Sequence, residues 1–323
     1  MKVGLVLGAG GTIGIAYHVG VLRALEVHAG FAPDDADLIV GTSAGSFMGA
    51  YVRAGYSTQE GWDLILGTHP KYAALSAAEL AQVQAGILAP VFRSPLDVAR
   101  RGIGSAYLLW RSIARVPMPL PPGLLRQAFP GGLFAFKEGR RRFAEELPEE
   151  WPEKPLYLVA VNTVTGKRVV LGKRSDPHVS LHDGVAASCA IPGVYQPVRV
   201  GKATLVDGGV YSTTNLDLTT RFGCDLVIVS APMAYDPASP PCAQHQLVRR
   251  IPTRSLSVEA AAARRRGAEV LLIRPTAPEI ELHGFNMMRR DGWDLVAKAA
   301  YDATVAALET PRFKRALRRL PAA

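Results

Sequence analysis

Cysteine is scarce in this chain. Only Cys189, Cys224 and Cys242 occur among 323 residues. An odd number with no C-x-x-C spacing supplies neither a disulfide framework nor a zinc site, and it fits a reducing, cytoplasmic compartment. Internal repeats and low-complexity linkers are also missing, which argues against a solenoid or a string of modules. No run reaches the ~20 apolar residues needed to cross a bilayer. The N-terminus comes nearest, because no charge follows Lys2 until Arg23. That stretch, however, holds Gly4, Gly8, Gly10, Gly11, Gly14 and Gly20. Each glycine costs a helix roughly 1 kcal/mol, so an apolar strand, a glycine loop and a buried helix explain it better than a signal peptide. Acidic residues are the minority charge, 28 against 37 Lys and Arg, for a net charge of +9. A basic surface attracts nucleic acid or anionic lipid. No nucleic-acid motif is present.

What the chain does have is a hydrophobic content of 48%, enough for a large core. Residues 2–7 read as a buried strand, 8–14 as a loop and 15–29 as a helix. Residues 37–40, 41–45 and 46–54 repeat that order as strand, tight turn and helix. This is the rhythm of an α/β fold, a three-layer sandwich with a mainly parallel central sheet. Residues 64–150 break it. They show no strong strand, a basic aromatic stretch around Tyr107 and Trp110, and four prolines between 116 and 122 that stop any helix. The segment reads as a helical insertion, a candidate lid. Strands resume at 156–161 and 168–171 around a hairpin at 162–167. A helix at 181–189, strands at 203–206, 225–230 and 269–273, and helices at 289–308 and 313–320 follow. The expected organisation is a single domain over 1–323, with core motifs in 3–215, the insertion at about 64–150 and a C-terminal strand and helices at about 268–320.

The strongest chemical signal is Gly41-Thr42-Ser43-Ala44-Gly45, a G-x-S-x-G nucleophile elbow in the strand–turn–helix setting it requires. Gly41 and Gly45 keep the sharp turn free of side chains. A serine nucleophile needs an oxyanion hole and a base. The loop Gly8-Ala9-Gly10-Gly11-Thr12-Ile13-Gly14 can aim backbone N–H groups at one point. It also approximates a dinucleotide fingerprint, but position 13 is Ile13, and Asp34, Asp35 and Asp37 precede the second strand where a ribose-binding acid should follow it. For the base, seven histidines compete: His18, His28, His69, His178, His182, His245 and His283. The Ser…Asp…His order of α/β-hydrolases would favour His283 or His245. Asp207-Gly208-Gly209, which closes a strand, is the other candidate, although D-G pairs are also common as plain turns.

Three blocks in order carry a family resemblance. They are LVLGAGGTIGIAYHVGVLRAL at 5–25, GTSAGS at 41–46 and ASCAIPGVYQPVRVGKATLVDGGV at 187–210. Together they make the chain resemble the patatin-like phospholipase family. The resemblance implies a lipid ester hydrolase with a catalytic dyad, in which Ser43 is the nucleophile and Asp207 its base. It implies an oxyanion loop around Gly10, Gly11 and Thr12, no cofactor, and no calcium or other metal in catalysis. Two departures stand out. Many members carry Arg or Lys where this chain has Ile13, so a cation near the oxyanion is missing. An Asn-Pro stretch often follows D-G-G, and here Val210-Tyr211-Ser212-Thr213-Thr214-Asn215 does. The basic aromatic region 93–126 is a candidate for contact with an anionic membrane surface, and the tail Arg312-Phe313-Lys314-Arg315 a weaker one. Two other functions are compatible with parts of the pattern: a lipid-binding scaffold with a dead dyad, and a nucleotide-binding oxidoreductase.

Overall fold

A computed structural model describes residues 1–70, 89–90, 94–114, 131–135, 137–172 and 179–320, without the side chains of 89–90, 108–114 and 137–138. The fold is α/β, with strands in a mixed arrangement flanked by helices. The chain forms two compact units, Met1–Ser76 with Pro152–Leu156 and Ser212–Ala323, and Ala77–Trp151 with Tyr157–Tyr211.

The first unit is built on four parallel strands in the order Glu269–Ile273, Leu226–Ser230, Val3–Leu7, Leu38–Thr42. Every residue of the last three is buried. Such strands read as unbroken apolar runs because helices cover both faces. The two faces can be told apart on Val3–Leu7, since alternate residues point opposite ways. A Cβ on Gly4 would lie 2.9 Å from Cys224 Sγ and 3.2 Å from Thr219, which belongs to the Asp217–Phe222 helix. Leu7 meets Gly49 of the Ala44–Arg53 helix from the other side. The first helix, Gly11–Ala29, runs against Trp293–Leu308 so closely that a Cβ on Gly20 would overlap the Ala297 carbonyl. Its neighbours diverge: Leu38–Thr42 lies on one side of Val3–Leu7 and Leu226–Ser230 on the other. Beyond the carboxyl ends of strands arranged this way there is a crevice, the usual place for a ligand in an open α/β sheet.

The second unit is antiparallel. The strand Leu156–Asn162 pairs with Arg168–Leu171 and with Ala203–Asp207, which pairs in turn with Val198–Val200. The hairpin expected at 162–167 is present, closed by Gly166 N–H to Asn162 O at 2.8 Å with Gly166 at φ 66°. The Leu181–Ser188 helix is capped by Ser180, whose side chain accepts the Asp183 N–H.

Several elements differ from the sequence expectation, among them the helices Thr58–Leu66, Asp217–Phe222 and Ala277–His283 and the strand Val198–Val200, which it did not contain. The first helix starts at Gly11, four residues early, because the Gly14 N–H already bonds Gly10 O at 2.8 Å. A 23-residue helix, Ala243–Arg265, was not anticipated. Pro252 in its middle hid it, since proline usually breaks a helix interior. The candidate lid is described only in part, through the helices Pro95–Ala114 and Lys137–Glu146. Residues 71–88, 91–93 and 115–130 of that segment lie outside the described residues. Among the described residues no helix is long and apolar enough to cross a membrane.

Candidate active site

Ser43 stands between the end of the Leu38–Thr42 strand and the start of the Ala44–Arg53 helix. Its backbone is at φ 54°, ψ −118°, in a region that side chains rarely adopt. Holding a non-glycine residue there costs of order 1–3 kcal/mol, and such strain collects at functional sites. Steric pressure explains how the turn is held. A Cβ on Gly41 would lie 2.7 Å from Gly45 O and from Ser46 Cα. A Cβ on Gly45 would overlap the Leu7 carbonyl. The helix that follows turns its first N–H groups and its positive end toward the serine.

The glycine loop lies beside this elbow. Leu7 is in register with Gly41, and a Cβ on Gly14 would sit 3.2 Å from Ala44 Cβ. Most donors of the loop are committed. Gly8 N–H bonds Ser230 O, Ala9 N–H bonds Thr213 O, Ile13 N–H bonds Met287 O and Gly14 N–H bonds Gly10 O. Among the described residues no backbone acceptor takes the N–H of Gly10, Gly11 or Thr12. These are the three positions at which the sequence placed the oxyanion loop. Gly11 needs to be glycine, with φ 59° and only 2.5 Å between a Cβ position and Met287 O. Thr12 Oγ1 donates to Arg289 O at 2.7 Å, so the loop is tied to residues 287–289. Ile13 is fully buried and faces the core.

Below the loop, His18 bridges Ser230 Oγ and Gly8 O, each at 2.8 Å. Burial pushes its pKa down from 6.5 to about 4. The sign of the pH effect follows from proton counts. Between pH 6.5 and 4 the unfolded histidine takes up a proton that the folded one refuses. The contribution is therefore present above pH 6.5 and lost as pH falls through about 4, for a loss of roughly 3 kcal/mol. Denaturant titrations should show stability falling over that window. The fall should be shallower in His18→Asn, whatever that variant loses at neutral pH.

Residues 212–216 form a hydrogen-bonded wall beside Thr42. Asn215 is fully buried at φ 51°, and its Nδ2 donates to Thr42 Oγ1 at 3.1 Å, next to Ser43. One carboxylate organises this wall. Glu259 accepts from Ser212 Oγ at 2.5 Å, Thr214 Oγ1 at 2.9 Å and Leu216 N–H at 2.9 Å. Sequence reading missed both residues, because a single Asn and a single Glu carry no motif. Glu259→Ala strands three donors and should cost about 2–4 kcal/mol of stability. It should lower kcat for a soluble ester more than it changes KM, since Glu259 acts through the wall rather than on substrate.

Asp207 belongs to the second unit. It ends the Ala203–Asp207 strand, is 4% exposed, and its Oδ1 accepts the Gly209 N–H at 2.7 Å. Gly208 is required because a Cβ there would overlap Val159 O. The D-G-G sequence is thus a tight turn pressed on a neighbouring strand. Burial, and then the Asp207 charge, push the nearby Cys189 thiol well up, which keeps it protonated and unreactive.

The histidine alternatives fare less well. His283 Nδ1 lies 3.1 Å from Arg249, and burial followed by the Arg249 charge lowers its pKa to about 3. Because a guanidinium only donates, Nδ1 is occupied as an acceptor, and in the neutral ring the other nitrogen carries the proton. His245 stacks on Phe285 with centroids 4.0 Å apart. His28 is paired with Tyr301. The acids of the dinucleotide reading lie elsewhere too. Asp37 accepts the Val3 N–H at 2.6 Å, at the amino end of the strands, and Asp34 binds Arg53 and Lys154. Cys242, His245 and Glu281 bring one donor atom each within 4.8 Å of one another and could hold a soft divalent ion such as zinc. The short Cys242-x-x-His245 spacing was a legible signal that the search for a C-x-x-C pair passed over.

The strand–turn–helix elbow at Ser43 and the glycine loop beside it lie in the first unit, and the D-G-G turn in the second. The patatin-like phospholipase family matches the chain over residues 5–220, and the chain belongs to that family. It is therefore an enzyme of a hydrolase family whose members act on lipid acyl esters. Solved structures with a similar chain path include VipD from Legionella pneumophila, at 16% identity and TM-score 0.46 over 95% of this chain and 67% of that one. They also include ExoU, a type III effector protein, at 15% identity and TM-score 0.37 over 95% of this chain and 53% of the other. In its complex with SpcU from Pseudomonas aeruginosa, ExoU matches at 19% identity and TM-score 0.37 over 97% and 52%. The chain thus spans about half the length of ExoU.

Proposed function

We propose that the protein cleaves carboxylic ester bonds of lipids, whether phospholipid, lysophospholipid or acylglycerol, through a Ser43–Asp207 dyad and an acyl-enzyme intermediate. The observation that carries the proposal is the strained backbone of Ser43 beside three uncommitted N–H groups, those of Gly10, Gly11 and Thr12. In the first half-reaction Asp207 accepts the Ser43 hydroxyl proton as Oγ attacks the ester carbonyl. The oxyanion is held by glycine-loop N–H groups, and each such donor is worth ~3 kcal/mol in the transition state. The tetrahedral intermediate collapses, expelling the alcohol with that proton and leaving acyl-Ser43. Water then attacks the acyl carbon and gives a proton to Asp207; as the second tetrahedral intermediate collapses, that proton passes to the departing Ser43 Oγ, freeing the fatty acid and restoring both residues. Ile13 points into the core, so no cation from position 13 meets a headgroup phosphate. The acyl part rather than the headgroup is then the main determinant of binding.

The test is hydrolysis of p-nitrophenyl esters of graded chain length, with labelling of Ser43 by a fluorophosphonate. Turnover with labelling supports the reading. Labelling at a residue other than Ser43, or no turnover and no labelling, overturns it.

A further inference from the structure

The Ala243–Arg265 helix has two apolar faces. One packs inward through Pro252, Leu256, Ala260 and Ala263. The other is covered by no element among the described residues. Leu247 is 76% exposed, Ile251 72% and Val258 61%. At 3.6 residues per turn, Leu247, Arg250, Ile251, Arg254, Val258 and Arg265 fall within an arc of roughly 100°. Single exposed hydrophobics are ordinary, but a stripe of them along one helix face marks an interaction surface. The charges on that stripe are all positive. Among the described residues Arg250, Arg254 and Arg265 have no ion-pair partner. The helix has one acidic residue, Glu259, and it is turned to the 212–216 wall.

The position of the stripe matters as much as its composition. The helix follows the Leu226–Ser230 strand, so its N-terminal half stands at the carboxyl edge of the parallel strands, where the elbow is. Arg249, on the inner face, donates to Pro232 O at 2.5 Å and Ala234 O at 3.2 Å. Pro232 is the residue that a Cβ on Gly10 would strike. Phe285, 61% exposed, stacks on His245 one turn before Val248. It precedes by two residues Met287, whose carbonyl takes the Ile13 N–H.

We infer that this stripe, with Phe285, is the surface by which the enzyme docks on an anionic phospholipid bilayer. The inference rests on the lipid-hydrolase reading for its purpose, not for its geometry. Apolar side chains flanked by arginines suit the headgroup layer, where the stems bury and the guanidinium groups meet phosphate. Docking there brings the elbow and glycine loop to the lipid. A basic residue near such a surface adds about fivefold in binding, and the effect is screened by salt.

The test is co-sedimentation of the full chain, carrying Ser43→Ala so that no lipid is consumed, with vesicles of phosphatidylcholine alone or with phosphatidylglycerol. Binding should require the anionic lipid. It should fall at least tenfold in Leu247→Glu/Ile251→Glu and at least tenfold in Arg250→Glu/Arg254→Glu. In the Ser43 background, p-nitrophenyl butyrate turnover should stay at the wild-type level for both pairs of substitutions. Absence of binding to either vesicle, or equal binding by all variants, overturns the inference. So does a helix-dependent dimer whose loss leaves vesicle binding intact. Anionic vesicle binding that depends on the stripe, in a protein that hydrolyses no ester, upholds the docking surface and removes only the hydrolase reading.

Discussion

Ser43→Ala should fold as the wild type does and lose on the order of ten-thousand-fold or more in ester hydrolysis, the scale seen when a serine nucleophile is removed. Asp207→Asn should lose about a hundred- to ten-thousand-fold, the usual contribution of a general base. A third variant, Ser43→Gly, separates strain from chemistry. At φ 54° a serine is held against its preference, and glycine adopts that conformation readily. Ser43→Gly should therefore be inactive and more stable than Ser43→Ala by about 1 kcal/mol or more. The measurements are initial rates on a soluble p-nitrophenyl ester, with denaturant midpoints for all three variants. Full activity in Asp207→Asn, beside an inactive Ser43→Ala, would move the base to another residue. His283 is badly placed for the part, because its Nδ1 already accepts from Arg249.

Gly45→Ala should be the most destructive small substitution in the protein. The added methyl would overlap the carbonyl of Leu7, a residue buried at the centre of the parallel strands. That carbonyl is backbone, and the Ala44–Arg53 helix can make room only by leaving the strands it covers. A cost of about 4 kcal/mol or more is expected, which is a large part of the stability of an ordinary domain. Gly30→Ala is the control. Gly30 has φ 63° but nothing within 4 Å of a Cβ position. It should cost only the ~1–2 kcal/mol of a left-handed backbone. Soluble yield and urea unfolding would check both. Similar costs for the two variants would mean that the elbow helix yields more easily than its packing indicates.

The wall at 212–216 illustrates why some of the site could not be read in advance. Glu259 lies more than 40 residues from Ser212 and Leu216, and only the fold brings its carboxylate to their donors. The Ala243–Arg265 helix was hidden for a different reason. Its two apolar faces erase the single-sided period by which a helix is usually recognised, and Pro252 suggests a break that does not occur. In the tail Arg312, Lys314 and Arg315 are exposed as a surface cluster would be, while Phe313 is buried and Arg312 donates to Val270 O.

The sequence by itself determined the α/β rhythm, the elbow, the glycine loop and the D-G-G turn. These are local: short apolar strands, glycines where no side chain fits and one serine at a sharp turn, all fixed by neighbours within a few residues. It also carried the family, through three blocks whose order is preserved. Only the tertiary structure decided the mixture of strand directions, parallel in one unit and antiparallel in the other, because pairing depends on which distant strands meet. Tertiary packing also decided which donors of the glycine loop remain uncommitted, since their competitors come from residues 213, 230 and 287. It buried His18 and His283 and gave their ring nitrogens partners in Ser230, Gly8 and Arg249, and among the described residues it left one face of a long helix bare at the edge where the serine stands.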